Sequence, residues 1–452
     1  MSLPYDDDDA NAIESYAKTL LNKTLREAYQ VYQPTTTGGR GAMGQAVETL
    51  HFKYQPNSIA APDFPKVGLE LKVTPLKKLK SGKMVAKERL VLNVIDYMLE
   101  HSKSWEESSF WKKNKRLLLM FYLHQDNTSI YDLLFRLIGI WDYPEKDLII
   151  IKNDWKIITN KIKKGESHLI SEGDTLYLGA CTKGAGHGGD FRRQPFSTML
   201  AKQRAFSLKK KYVDIIISTW NNDKELTEIE PIVKNPKEIS GQRTFEQLVI
   251  EKFAPYINKS PSEITKTLGI TLNPRAKNYF STLSLRILGV KKKKIEEFEK
   301  ADITLKTIRL KYNNMPKEDI SFPYFKYKEI VEETWEESTL KGYLEKKFFF
   351  VVYKFNKKGD LKLAKVMFWN MPMQDIDSYA KQVWEQTVQQ INNGKARDLP
   401  KKRENYVCHV RPHGKNAKDT DETPSGAFLV KKSFWLNAKY IRDQVASDIA
   451  IK

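Results

Sequence analysis

Residues 64–76, FPKVGLELKVTPL, line up without a gap on residues 298–310, FEKADITLKTIRL, with Phe, Lys, Leu, Lys and Leu at equal offsets. Farther on, SWEESS at 104–109 matches TWEEST at 334–339, and each is followed by a basic pair and an apolar run. The two offsets, 234 and 230, nearly agree. Convergent strand patterning can produce one such match. Two in the same order mark a duplicated domain, so the chain must build one architecture twice.

The pattern of each copy suggests what that architecture is. Helical periodicity covers 10–29, a Gly-rich joint follows (Gly38, Gly39, Gly41, Gly44), and a second helix is expected over 46–52. Short apolar runs at 67–73, 117–123, 148–151 and 177–180 read as strands with helices between them. Residues 221–241 are polar, carry two prolines and read as a linker. Beyond them, helices are expected at 245–257 and 277–288 and strands at 301–310 and 348–353. The expected class is mixed α/β, with domains at 1–220 and 242–452 joined by a linker at 221–241.

Charge narrows the partners. The chain of 452 residues has 76 Lys and Arg against 56 Asp and Glu, a net charge of +20. Such an excess suits a polyanion, because each phosphate neutralised releases condensed counterions. No stretch reaches the ~18–20 apolar residues of a membrane span. Two cysteines, Cys181 and Cys408, are too few for a disulfide framework or a zinc cluster. A reducing cytoplasm is therefore expected, with neither a membrane partner nor a nucleotide cofactor.

The chemistry concentrates in Asp63, Glu70 and Lys72. Alternation along 67–73 puts Val67, Leu69, Leu71 and Val73 on one face and leaves Glu70 and Lys72 together on the other. With Asp63 arriving from the preceding turn, two carboxylates can hold a hard divalent cation beside an ammonium group. Metal-assisted phosphodiester hydrolysis requires that set. Alone, the pattern also suits a solvated strand face with surface salt bridges.

Its neighbours extend it. Before it runs Arg40-Gly-Ala-Met-Gly-Gln-Ala-Val-Glu48, and after it Trp105-Glu-Glu leads to Lys113-Asn-Lys-Arg. Tyr177-Leu-Gly-Ala-Cys-Thr-Lys183 and Phe206-Ser-Leu-Lys-Lys complete the order. From 40 to 211 the chain resembles the MutH mismatch-repair nicking endonucleases and the related GATC-cutting type II restriction endonucleases. The resemblance implies a restriction-endonuclease-like core that uses Mg²⁺ on double-stranded DNA. It makes Asp63 and Glu70 metal ligands, Lys72 the catalytic lysine, Glu48 a helix-borne acid near the site and Lys113 a second lysine near the scissile phosphate. Lys112 and Lys115 lie close enough to Lys113 in sequence to share that role. Arg40 and Lys183 match DNA-reaching residues. Cys181-Thr182 stands where MutH has Arg-Pro, and Ser207 stands where it has a methylation-sensing tyrosine, so base contacts and methylation preference stay open. Lys209 belongs to a basic run able to reach phosphates, and His187 is expected in a loop or at DNA.

The second copy departs at its centre. Thr304 replaces Glu70, Lys306 matches Lys72, and Glu297 stands at the Asp63 position. A threonine carries no charge for a cation. Arg411, His413 and Lys415, in Val-Arg-Pro-His-Gly-Lys, resemble the MutH recognition loop more closely than the first copy does, and Phe428-Leu-Val-Lys-Lys echoes Phe206-Ser-Leu-Lys-Lys. The expectation is a type II restriction endonuclease cutting at GATC, whose C-terminal pseudonuclease domain binds a second site as an allosteric effector. One live site per chain makes a transient homodimer on DNA expected. A strand-nicking repair enzyme and a non-cleaving DNA-binding regulator are the alternatives.

Overall fold

In the first half the apolar runs become strands: β1 (Glu70–Lys78), β2 (Met84–Ala86), β3 (Leu90–Val94), β4 (Arg116–Leu123), β5 (Phe135–Asp142), β6 (Leu178–Thr182), β7 (Phe191–Gln194), β8 (Ser197–Lys202) and β9 (Arg204–Leu208). The computed structural model describes residues 3–30, 41–55, 60–184, 190–241 and 243–445. One sheet runs β2-β1-β4-β5, a second β3-β9-β6, and β7 pairs with β8 as a hairpin. β1 and β4 are parallel, with Glu70 opposite Leu117 and Lys72 opposite Leu119. Leu117 to Phe121 of β4 are fully buried, as a strand covered on both faces requires. Ile13, Ala17, Leu20 and Leu25 of the N-terminal helices pack with Leu71, Leu118 and Met120 on one side. On the other, Trp220 meets Phe121 edge-on at 6.0 Å.

Several expectations change here. Residues 148–151 lie inside a helix, Glu145–Lys163, not a strand. Ile150, Ile151, Asp154, Trp155, Ile158 and Ile162 recur along its buried side, a 3.6 period hidden in a short apolar window. The helix expected over 10–29 breaks into Ala10–Ala17, Lys18–Leu20 and Leu25–Tyr29, because Asn22 is left-handed (φ 60°) and Thr24 caps a new start with a capping box.

The chain divides into two units, Met1–Thr244 with Lys294–Asp302, and Phe245–Lys293 with Ile303–Lys452. Residues 221–241 are not a loose linker, since Ile232, Val233 and Ile239 are buried in the first unit. Their strand β10 (Ile229–Glu230) pairs in parallel with β11 (Lys294–Ile295). The helix Glu296–Ala301 then packs on the helix Lys210–Trp220 of the same unit. Lys300 Nζ lies 2.8 and 2.7 Å from the two carboxylate oxygens of Asp147, with Glu296 2.8 Å away. The Glu297 carboxylate accepts the backbone N–H groups of Ile232 and Val233, each at 2.9 Å.

The second unit repeats the pairings. Its strands are β12 (Thr304–Leu310), β13 (Ile320–Phe325), β14 (Lys347–Phe355), β15 (Leu361–Asn370), β16 (Cys408–Pro412), β17 (Thr420–Glu422), β18 (Phe428–Val430) and β19 (Lys432–Leu436). β12 and β14 are parallel, β14 and β15 antiparallel, and β16 pairs with β19. Phe348, Phe350, Val352, Trp369, Val383, Trp384 and Ile441 form its core. The architecture is mixed α/β, built twice. Among the described residues, no helix is long and apolar enough to cross a membrane.

Candidate active site

A tight turn brings Asp63 to Glu70. Phe64 and Leu69 exchange backbone hydrogen bonds at 2.9 and 3.1 Å. Gly68 closes the turn at φ 63°, and a Cβ there would stand 2.6 Å from Cε of Lys115. The Asp63 N–H donates to Glu70 Oε2 at 3.1 Å, and the Leu71 N–H donates to Asp63 Oδ2 at 2.9 Å. Both carboxylates are thus fixed by the backbone before any ligand arrives.

The lysines converge on one oxygen. Lys72 Nζ donates to Glu70 Oε1 at 2.6 Å, and Lys113 Nζ lies 3.6 Å from the same atom. Glu70 is 2% exposed. Burial pushes its carboxyl up to about 7, opposed by Lys72 and reinforced by the charge of Asp63. Glu48 sits on a π-helical turn, Val47–His51, that ends the helix Ala42–Ala46. Such turns recur at functional sites. Burial first and then Asp63 raise the Glu48 carboxyl, against Lys72 and Lys113. The structure therefore brings together all five residues expected at the centre: Glu48, Asp63, Glu70, Lys72 and Lys113. Oxygen donors on a rigid turn, crowded with negative charge, suit a hard divalent cation.

Tyr54 was not singled out in the sequence. Its hydroxyl is buried and has no hydrogen-bond partner among the described residues. Its ring meets Phe64 edge-on at 5.9 Å. Burial raises the phenol, and so do Asp63, Glu48 and Glu70. No spacing rule finds it, because it reaches the acids through the π-helical turn, its N–H bonded to the Glu48 carbonyl.

The expected DNA-contacting residues divide. Arg40 and His187 lie outside the described residues. Lys183, half-buried at the end of β6, gives its N–H to the Gln203 carbonyl at 2.7 Å. Ser207 and Lys209 are corrected. Ser207 is fully buried in β9, the middle strand of its sheet, and Lys209 is 6% exposed with its Nζ on the Thr175 carbonyl at 2.6 Å. Neither side chain faces outward to meet a duplex.

In the second unit Arg411, His413 and Lys415 are exposed. The Arg411 guanidinium lies 3.7 Å over the Trp435 ring and 3.3 Å from Asp319, and His413 meets the same ring edge-on at 5.0 Å. Strand register also revises the repeat. β6 pairs Leu178 with Leu208, and β16 pairs Cys408 with Leu436. Phe206-Ser207-Leu208 therefore corresponds to Phe434-Trp435-Leu436, and Phe428 belongs to the β17–β18 hairpin. Lys183 and His413 are then equivalent, since each donates its N–H to the residue just before the partner strand. At the degenerate centre Thr304 opposes Phe348 as Glu70 opposes Leu117. Burial alone lowers the Lys306 ammonium. The acid at the Asp63 position, Glu297, is committed to the backbone of the first unit.

The relatives of this duplicated mixed α/β chain define it as a site-specific deoxyribonuclease. The family described as DNA mismatch repair enzyme MutH matches residues 52–154 and 288–381, once in each copy. Over 494 aligned residues the chain is 35% identical to the type II restriction enzyme Sau3AI of Staphylococcus aureus, covering 96% of this chain and 99% of that protein. The chain belongs to the MutH family. Among solved structures, a complex of the restriction endonuclease MvaI with its cognate DNA aligns over 45% of this chain and 94% of that one. At 12% identity and a TM-score of 0.21, that likeness bears no structural weight.

Proposed function

We propose that the chain is a Mg²⁺-dependent type II restriction endonuclease that hydrolyses double-stranded DNA at GATC sites. In this reading the second unit is a pseudonuclease that binds a further site and regulates the first. The observation that carries it is the backbone-fixed pair Asp63 and Glu70 with Lys72 on Glu70 Oε1. Mg²⁺ held by Asp63 and Glu70 would lower the pKa of a bound water and neutralise charge developing on the phosphate. Lys72, whose Nζ donates to Glu70 Oε1 at 2.6 Å, would orient the attacking water beside that carboxylate. Lys113 supplies a second positive charge on the same side, which meets a phosphate oxygen. Having one such set per chain supports breaking both strands either in two successive nicks or by pairing with a second molecule on DNA.

The test is digestion of two plasmid preparations of one sequence, unmethylated and adenine-methylated at GATC, with Mg²⁺ and end sequencing. Fragments ending at GATC are expected. Nicked circles alone would give the strand-nicking activity instead, and DNA that is retarded but intact would leave a binding protein. Lys72→Ala should slow cleavage by about 10²–10⁴-fold while retaining most DNA affinity.

A further inference from the structure

The chain between β6 and β9 leaves the sheet as the β7–β8 hairpin, closed at its base by the Lys183 N–H on Gln203. Its corner is Pro195-Phe196, between the paired residues Gln194 and Ser197. Phe196 is left-handed, φ 59°, where glycine or asparagine ordinarily sits. Despite that strain its side chain is 75% exposed. Apolar burial does not explain a bare phenylalanine held in an unfavourable backbone conformation.

The corner is also rigidly seated. Gln194, 4% exposed, accepts the Ser167 N–H at 2.7 Å and donates to the Met199 carbonyl at 2.7 Å. Gly165 makes room for it: a Cβ there would stand 2.8 Å from the Phe196 carbonyl oxygen. The His101 ring supports the phenyl group edge-on at 5.5 Å. Arg193, next to Gln194, lies nearest the tip, Arg192 and Lys202 are exposed toward the base of the hairpin, and residues 191–202 contain no acid. An apolar point at the end of a hairpin whose only charges are basic fits a duplex, with the point at a base step and the charges on phosphates along the backbone. A second copy of this chain, itself at +20, is the poorer match.

We propose that Phe196 is a wedge that enters the base stack of bound DNA beside the recognition sequence, with Arg193 on a neighbouring phosphate and Arg192 and Lys202 on phosphates farther along the backbone. Rigid presentation suits this role, because a preformed point unstacks a step without first losing its own freedom. The proposal rests on the reading of the chain as a DNA endonuclease.

The experiment uses the full-length chain carrying Glu70→Gln, so that bound DNA stays uncut, and duplexes with 2-aminopurine at successive positions around GATC. A severalfold fluorescence rise at one step is expected, retained by Phe196→Leu and lost in Phe196→Ala, with gel retardation still observed. A rise that survives Phe196→Ala, or no rise on duplexes that are bound and that the unsubstituted chain cuts, overturns the wedge alone. Concentration-dependent sedimentation without DNA that Phe196→Ala abolishes would give the face to a second copy and overturn it as well. No retardation of any duplex would overturn the endonuclease reading together with the wedge.

Discussion

A carboxylate 2% exposed and lifted to about 7 holds its proton more tightly in the folded chain than in the unfolded one. Without metal, Glu70 therefore favours folding most at low pH, and that contribution is lost as pH rises through about 7. We expect metal-free chain to lose a few kcal/mol between about pH 5 and about pH 8 that Glu70→Gln does not lose, measured by urea denaturation. Below pH 7 a divalent cation must displace that proton, so calorimetry in buffers of different ionisation enthalpy should detect proton release on binding. Equal pH dependence in the two proteins would remove Glu70 from this role. Asp63, Glu70 and Lys72 were legible in the sequence because strand alternation and one turn suffice to place them. Ser207 was misplaced because motif spacing gives a strand position but no outward side when a strand is buried on both faces, as all five residues of β9 are, and Lys209, just past that strand, turns its ammonium inward to the Thr175 carbonyl.

At the level of elements, apolar runs gave the sheets and missed what surrounds them. Residues 148–151, Leu-Ile-Ile-Ile, read as a strand only because four consecutive apolar positions are too few to show a period. Phe428 was matched to Phe206 by its neighbours Lys431 and Lys432, whereas pairing across the sheet assigns that place to Phe434. The helix Glu296–Ala301 was hidden because its sequence still resembles the turn before β1, although its charges now serve another purpose. Lys300 is 5% and Asp147 1% exposed, and a buried pair that loses one member costs about 3–5 kcal/mol. Lys300→Met should destabilise the first unit by that order, seen as a lower midpoint for tryptophan fluorescence. Adding Asp147→Leu should restore much of it, because no uncompensated carboxylate remains. A single variant as stable as the parent would contradict the structural role of this helix.

For the whole molecule, the net charge of +20 and the two copies point the same way. One copy keeps the acid set, and the other keeps exposed basic residues around Trp435. Arg411→Ala with Lys415→Ala should reduce cleavage of DNA carrying two sites toward the rate on one-site DNA, with little effect on the latter. Unchanged rates on both substrates would leave the second copy without a regulatory part. The duplication itself was legible from two short matches. The exchange of residues 294–302 was not, because a repeat records ancestry and says nothing about which copy a segment now packs against. That exchange has a genetic consequence. The chain leaves the first unit after Thr244, comes back for Lys294–Asp302 and departs again. A gene divided at the seam would yield a front half in which Asp147 loses Lys300 and the N–H groups of Ile232 and Val233 lose Glu297. It would also yield a back half bearing a helix that belongs elsewhere. A recombination at that single point would therefore part each copy from packing it depends on.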